Sequence, residues 1–74
     1  MKTHLIWSHE HSAWWRPNAM GYTYDVSRAG AYTAEEARRV TESATHDWSR
    51  APNEVPVLIA DLPASVIERI MDNE

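Results

Sequence analysis

His9 and His11 stand two residues apart in the run Trp7-Ser8-His9-Glu10-His11-Ser12, and an extended strand would present both imidazoles on one side. Paired imidazoles at that spacing can bind zinc. A working site also needs a third protein ligand and groups that orient the ligands, and the remaining candidates, His4, Glu10 and His46, have no local spacing that brings them to the pair. No metal ligand is therefore assigned, and the plainer reading of the run is a polar hairpin tip. Ser8, His9, Glu10 and Ser12 also suggest a nucleophile with a base. Neighbours along a strand point to opposite faces and cannot share a proton, and the chain has no glycine-rich phosphate loop or nucleophile elbow. Since a chain of 74 residues rarely encloses a catalytic pocket, neither a catalytic residue nor a cofactor is expected. A small metal-dependent enzyme built on His9 and His11 is the least favoured alternative.

Trp14-Trp15 is more informative. Adjacent strand residues face opposite ways, so both indoles cannot enter one core and one of them should be exposed. Trp and Tyr are favoured interface anchors, so the outward ring is a candidate partner contact. It is equally read as a cover for the hairpin, or as a ring that takes the Arg16 guanidinium on its face. A second candidate contact is acidic: Glu35, Glu36, Glu42, Asp47 and Glu54 cluster in sequence and would steer a basic protein surface toward them. The bland reading of the same charges is a solvated helix face, with Glu35 and Arg39, and Arg39 and Glu42, as weak pairs.

The elements that position these residues are set by composition and periodicity. One domain is expected over residues 1–74, with a small core, because a chain this short buries only about 60% of its unfolded surface. Without cysteine, packing alone must hold it, and a reducing cytoplasm suits it. No apolar run reaches the length of a signal peptide or a membrane span, so a soluble cytoplasmic protein is expected. The formal charge of −4 is unevenly placed, −5 over residues 33–74 against +1 over residues 1–32, and no basic stripe of the kind that neutralises phosphates is visible, which argues against direct binding of nucleic acid. With no phenylalanine, four tryptophans and three tyrosines supply all the aromatic area, each with a polar edge that suits a surface as well as a core.

Residues 3–9 read as a strand and 13–16 as its hairpin partner, with 10–12 as the turn. Asp25 can cap a single helical turn that Gly30 closes in the left-handed conformation. Thr33-Ala34-Glu35-Glu36 has the form of a capping box and opens a helix over residues 34–46, with Ala37, Val40, Thr41, Ala44 and Trp48 on one face. Val55 to Ala60 reads as a strand, which Pro56 confines to an edge unless it starts after the proline. Pro63 enters the first turn of a short helix with Leu62, Val66, Ile67, Ile70 and Met71 as its buried stripe. The expected fold is α+β in the order β-β-α-β-α: a short antiparallel sheet, made of the hairpin plus the C-terminal strand, packed against one main helix, with a short C-terminal helix.

Trp7-Ser8-His9-Glu10-His11, Trp14-Trp15-Arg16-Pro17-Asn18, Gly21-Tyr22-Thr23 and Ala29-Gly30-Ala31-Tyr32-Thr33-Ala34-Glu35-Glu36-Ala37 together resemble small phage and prophage proteins, over about residues 5–40. The resemblance implies a hairpin followed by a capped helix and carries over no catalytic residue. In size and charge the chain is similar to inhibitors of host defence, notably anti-CRISPR proteins that bind subunits of type I surveillance complexes. What this implies is a stoichiometric inhibitor in the bacterial cytoplasm. It would dock on a CRISPR effector subunit through Trp14 or Trp15 and through Glu35, Glu36, Glu42, Asp47 and Glu54, without touching nucleic acid or membrane. The alternative is a prophage interaction or regulatory module that binds another protein with the same surface. A monomer and a homodimer closed by an indole or an edge strand are both compatible with the sequence.

Overall fold

A computed structural model describes residues 1–44 and 53–72. It is an α+β domain: five antiparallel strands, β1 (Lys2–Ser8), β2 (Ala13–Trp15), β3 (Tyr22–Thr23), β4 (Tyr32–Thr33) and β5 (Glu54–Leu58), with helices α1 (Ala34–Ala44) and α2 (Ala64–Asp72). His46, Asp47 and Trp48 lie outside the described residues.

β1 is the hub of the sheet. Along one edge it pairs with all of β5, from His4 opposite Leu58 to Ser8 opposite Glu54. Its other edge is divided: the C-terminal half takes β2, with Trp7 opposite Trp14, and the N-terminal half takes β4, with His4 opposite Tyr32. Lys2 then pairs with Thr33, so two steps along β1 match one along β4 and Thr3 is the extra residue of a bulge. β3 pairs only with β2. The two-residue strands β3 and β4 were not expected from the sequence, because neither is long enough to show a hydrophobic period.

Backbone bonding explains where Pro56 is tolerated. His9 N donates to Asn53 O at 2.8 Å, which marks that pair as hydrogen-bonded, and in an antiparallel ladder such pairs alternate. Ile6 and Pro56 therefore form a non-hydrogen-bonded pair, and the nitrogen that cannot donate faces away from β1. As expected, β5 is an edge strand, and the proline blunts its free side. The strand ends at Leu58, earlier than the expected Ala60, and Ile59–Asp61 turns as a short 3-10 helix.

Alternation places Ile6 and Ser8 on the face that carries α1, and Leu5 and Trp7 on the other. Ile6, Tyr32 and Ala37 are buried together, with Trp15 and Val40 packed on them. α1 starts where the capping box puts it: Glu36 N donates to Thr33 Oγ1 at 3.1 Å and Thr33 N donates to Glu36 Oε1 at 2.9 Å. Hydrogen bonding from Thr33, its backbone N–H first, holds the Glu36 carboxyl below its usual pKa. Asp25 caps the 26–28 turn as expected, accepting from Ser27 N at 3.0 Å and Ser27 Oγ at 2.7 Å, while Arg69 of α2 donates to the same carboxylate at 3.2 Å. α2 thus packs on that turn.

Three local expectations need correction. Gly30 does not close a left-handed turn. Its backbone instead lies against Pro17, where a Cβ would fall 2.5 Å from the proline nitrogen, and its N–H donates to Trp15 O at 2.8 Å. Pro63 precedes α2 rather than entering it, and its carbonyl accepts the first bonds from Val66 N and Ile67 N at 2.9 and 3.1 Å. Met71 leaves the apolar stripe of α2 and is exposed, whereas Leu62, Val66, Ile67 and Ile70 are half-buried.

Candidate partner-binding face

β1 stops at Ser8, so His9 to Ser12 form the connection to β2 and do not share a strand face. Ser8 is buried, its Oγ accepting from His11 N at 3.2 Å, and the His11 ring stacks on Tyr22 with centroids 4.0 Å apart. Among the described residues no three His, Cys, Asp or Glu side chains converge on a point that would hold a metal ion.

Trp14 and Trp15 separate as their strand requires, yet neither ring is fully exposed. Trp14 packs edge-on against Trp7, its non-hydrogen-bonded cross-strand neighbour, at 4.8 Å between centroids. Trp15 lies on the α1 face, edge-on to Tyr22 at 6.1 Å and to Tyr32 at 6.4 Å. Its Nε1 donates to Glu54 Oε2 at 2.8 Å. The expectation that one indole projects into solvent is thereby corrected: each is clasped by a second aromatic ring.

Glu54 departs furthest from its expected place. It is 4% exposed and so contributes no accessible acid to an outer patch. The Asn53 amide links it to the hairpin tip, donating to Glu54 Oε1 at 3.2 Å and to Glu10 Oε2 at 2.9 Å. Burial pushes the Tyr22 hydroxyl above its ordinary pKa, and the carboxylates of Glu54 and Glu10 push it the same way.

The helix acids are distributed differently again. Glu35 is bound by Arg39 at 2.8 Å, Glu42 is approached by Arg38, rather than the expected Arg39, at 3.8 Å, and Glu36 serves the cap. All three are exposed, with much of their charge balanced locally. Asp47 lies outside the described residues. Among the described residues, Glu54 alone of the expected acids bonds to a tryptophan, Trp15, while Glu35, Glu36 and Glu42 lie on α1.

The most exposed large apolar and aromatic residues near the hairpin were missed. Met20, Tyr22 and Tyr24 are 73%, 42% and 87% exposed, and they flank β3, an outer strand of the sheet. Their signal was present as an alternation at positions 20, 22 and 24, which reading residues 21–24 as a lead-in to a turn overlooked. The loop before β3 is held from below. The Tyr32 hydroxyl donates to Arg16 O and accepts from Ala19 N at 3.0 Å, and Arg16 N donates to Gly21 O at 2.8 Å. Asn18, Ala19 and Gly21 all take positive φ, 58°, 55° and 105°, a conformation that alanine adopts only under such constraint. Trp15, Ala19, Gly21 and Tyr22 border a shallow depression of about 160 Å³ beside this strip.

Among the described residues no helix is long and apolar enough to cross a membrane. The chain matches no protein-family model, no curated protein and no solved structure.

Proposed function

We propose that this domain is a non-enzymatic, stoichiometric protein-binding module whose partner face is the β2–β3 ribbon, with Met20, Tyr22 and Tyr24 as contacts and Trp15 as the rigid support behind them. The observation that carries the reading is the exposure of three large side chains within five residues, one in the outer strand β3 and one on either side of it in sequence. Aromatic and methionine side chains are enriched where protein interfaces lose water. A strip fixed from behind by the Tyr32 hydroxyl and the Trp15 indole loses little conformational freedom on docking.

The resemblance to small phage and prophage proteins directs the choice of partner. On that reading the partner is a host protein, in the first place a subunit of a type I CRISPR effector, and the domain acts as an inhibitor of host defence. A prophage interaction module with another host or phage partner uses the same face. The acidic helix residues Glu35, Glu36 and Glu42 take a secondary, steering part, because nearby arginines already balance much of their charge.

The test is a tagged pull-down from a bacterium expressing a type I complex, read by mass spectrometry. Recovery of one effector subunit, lost in Tyr22→Ala/Tyr24→Ala but kept in Glu35→Lys/Glu36→Lys/Glu42→Lys, supports both face and partner. Loss only with the acidic triple variant moves the face to α1. Capture of an unrelated protein through Tyr22 and Tyr24 keeps the face and replaces the partner, and no capture rejects the reading.

A further inference from the structure

Beside Gly30 lies a cavity of about 290 Å³, bordered by Lys2, Pro17, Arg28, Gly30, Ala31 and Ile70. We propose that it is a binding site for a small organic anion, a phosphomonoester or a carboxylate with a short apolar portion, that is unrelated to the partner face.

Charge is the first argument. Lys2 and Arg28 both line the cavity of a chain whose formal charge is −4. The counter-charge nearest Arg28 is Asp25, and that carboxylate is already engaged by Ser27 N at 3.0 Å, Ser27 Oγ at 2.7 Å and Arg69 at 3.2 Å. Arg28 stays 3.9 Å from it, beyond hydrogen-bonding distance, with its side chain 73% exposed. Its guanidinium thus keeps donors for a planar, two-oxygen acceptor. Glu36 offsets part of the Lys2 charge from its place in the helix cap. Lys2 and Arg28 are the only charged side chains among the described residues that line the cavity, and both are cations.

Shape is the second argument. The floor is a fixed backbone surface: Gly30 touches Pro17 so closely that a Cβ would not fit, and the Gly30 N–H is tied to Trp15 O. Ala31 and Ile70 add apolar lining suited to a hydrocarbon portion. The volume is near the lower end for small-molecule sites, which admits a compact ligand and excludes a polymer threaded through it.

The experiment is a two-dimensional amide NMR titration of the whole chain with phenyl phosphate, benzoate and inorganic phosphate, at fixed ionic strength against sodium chloride. Saturable shifts confined to Ser27, Ala29, Gly30, Ala31 and Ile70 with either aromatic anion support the site, and the tighter of the two identifies the headgroup. Lys2→Gln/Arg28→Gln should weaken that binding by roughly three- to tenfold, the effect of removing two exposed charge contacts. Arg38→Gln on α1 should leave it unchanged. Ala29→Leu, which fills the cavity while keeping both cations, should abolish it, and if that variant misfolds the charge variant decides alone. Inorganic phosphate binding as tightly as phenyl phosphate, shifts spread equally over the arginines of α1, or indifference to Lys2→Gln/Arg28→Gln would each overturn the proposal.

Discussion

Trp15 Nε1 and Glu54 Oε2 meet at 2.8 Å although 39 residues separate them in the chain, and the bond fastens the hairpin to the C-terminal strand. Glu54 is 4% exposed, so the partners of its carboxylate must replace water. Trp15→Phe should cost about 2 kcal/mol, because it removes the donor and strands a buried acceptor. Glu54→Gln, which keeps an acceptor and removes the charge, should stay within about 1 kcal/mol of the parent. Urea denaturation of both variants measures the difference, and equal losses would show that the indole needs the charge of Glu54 and not merely an acceptor.

Tyr32→Phe tests whether the loop that carries Met20 is held from below. The substitution keeps the ring packed on Trp15 and deletes only the hydroxyl that bridges Arg16 O and Ala19 N. A stability loss of about 1–2 kcal/mol is expected. Amide exchange of residues 18–21 should accelerate more than that of β1. Uniform acceleration would place the effect in the core.

Acid should weaken the fold through Asp25 and Glu36. Both have folded pKa values below their ordinary 3.8 and 4.5, in each case chiefly through hydrogen bonds, from Ser27 to Asp25 and from Thr33 to Glu36. Depressed carboxyl values contribute stability fully above the unfolded pKa, and the contribution is lost as pH falls through the folded one. The melting temperature should therefore decline from about pH 4.5 downward. Asp25→Asn/Glu36→Gln should lower it at pH 7 and flatten that decline. An unchanged slope in the double variant would assign acid sensitivity to other groups.

Gly30→Ala and Gly21→Ala separate two roles of glycine. At Gly30 a Cβ would lie 2.5 Å from Pro17 N and 2.6 Å from its Cα, backbone that cannot step aside cheaply. At Gly21 there is open space but φ is +105°. The first substitution should cost more, about 2–3 kcal/mol for forced overpacking against about 1 kcal/mol for the left-handed backbone. Thermal unfolding of the pair ranks them, and the reverse order would refute the close approach.

The sequence was most legible where a signal is local. The capping box at Thr33 and Glu36, the cap at Asp25, the edge placement of Pro56 and the class of the fold all rest on residues within a few positions of one another. The partnership of Trp15 with Glu54 was not legible, because Glu54 reads as one more acid until β5 lies beside β1. Gly30 was misread for a related reason: its neighbour is Pro17, and a turn rule sees only residues 25–30. Of the residues proposed for the face, Trp15 was named from the sequence together with Trp14, one of the two being expected to face solvent, and it serves as a support. Met20, Tyr22 and Tyr24 were passed over, because two residues of strand are too few to announce an edge.

The pairing of β1 with β5 also sets a timetable. β1 leaves the ribosome before its long partner, which exists only after Leu58 has been made, so Leu5, Ile6 and Trp7 have one unsatisfied edge while the residues between the two strands are synthesised. The β1–β2 turn can close early, but the sheet is completed last and by its most distant contacts, which is slow for so short a chain. A ribosome-stalled series should therefore show protease protection arriving in one step, once β5 has cleared the exit tunnel.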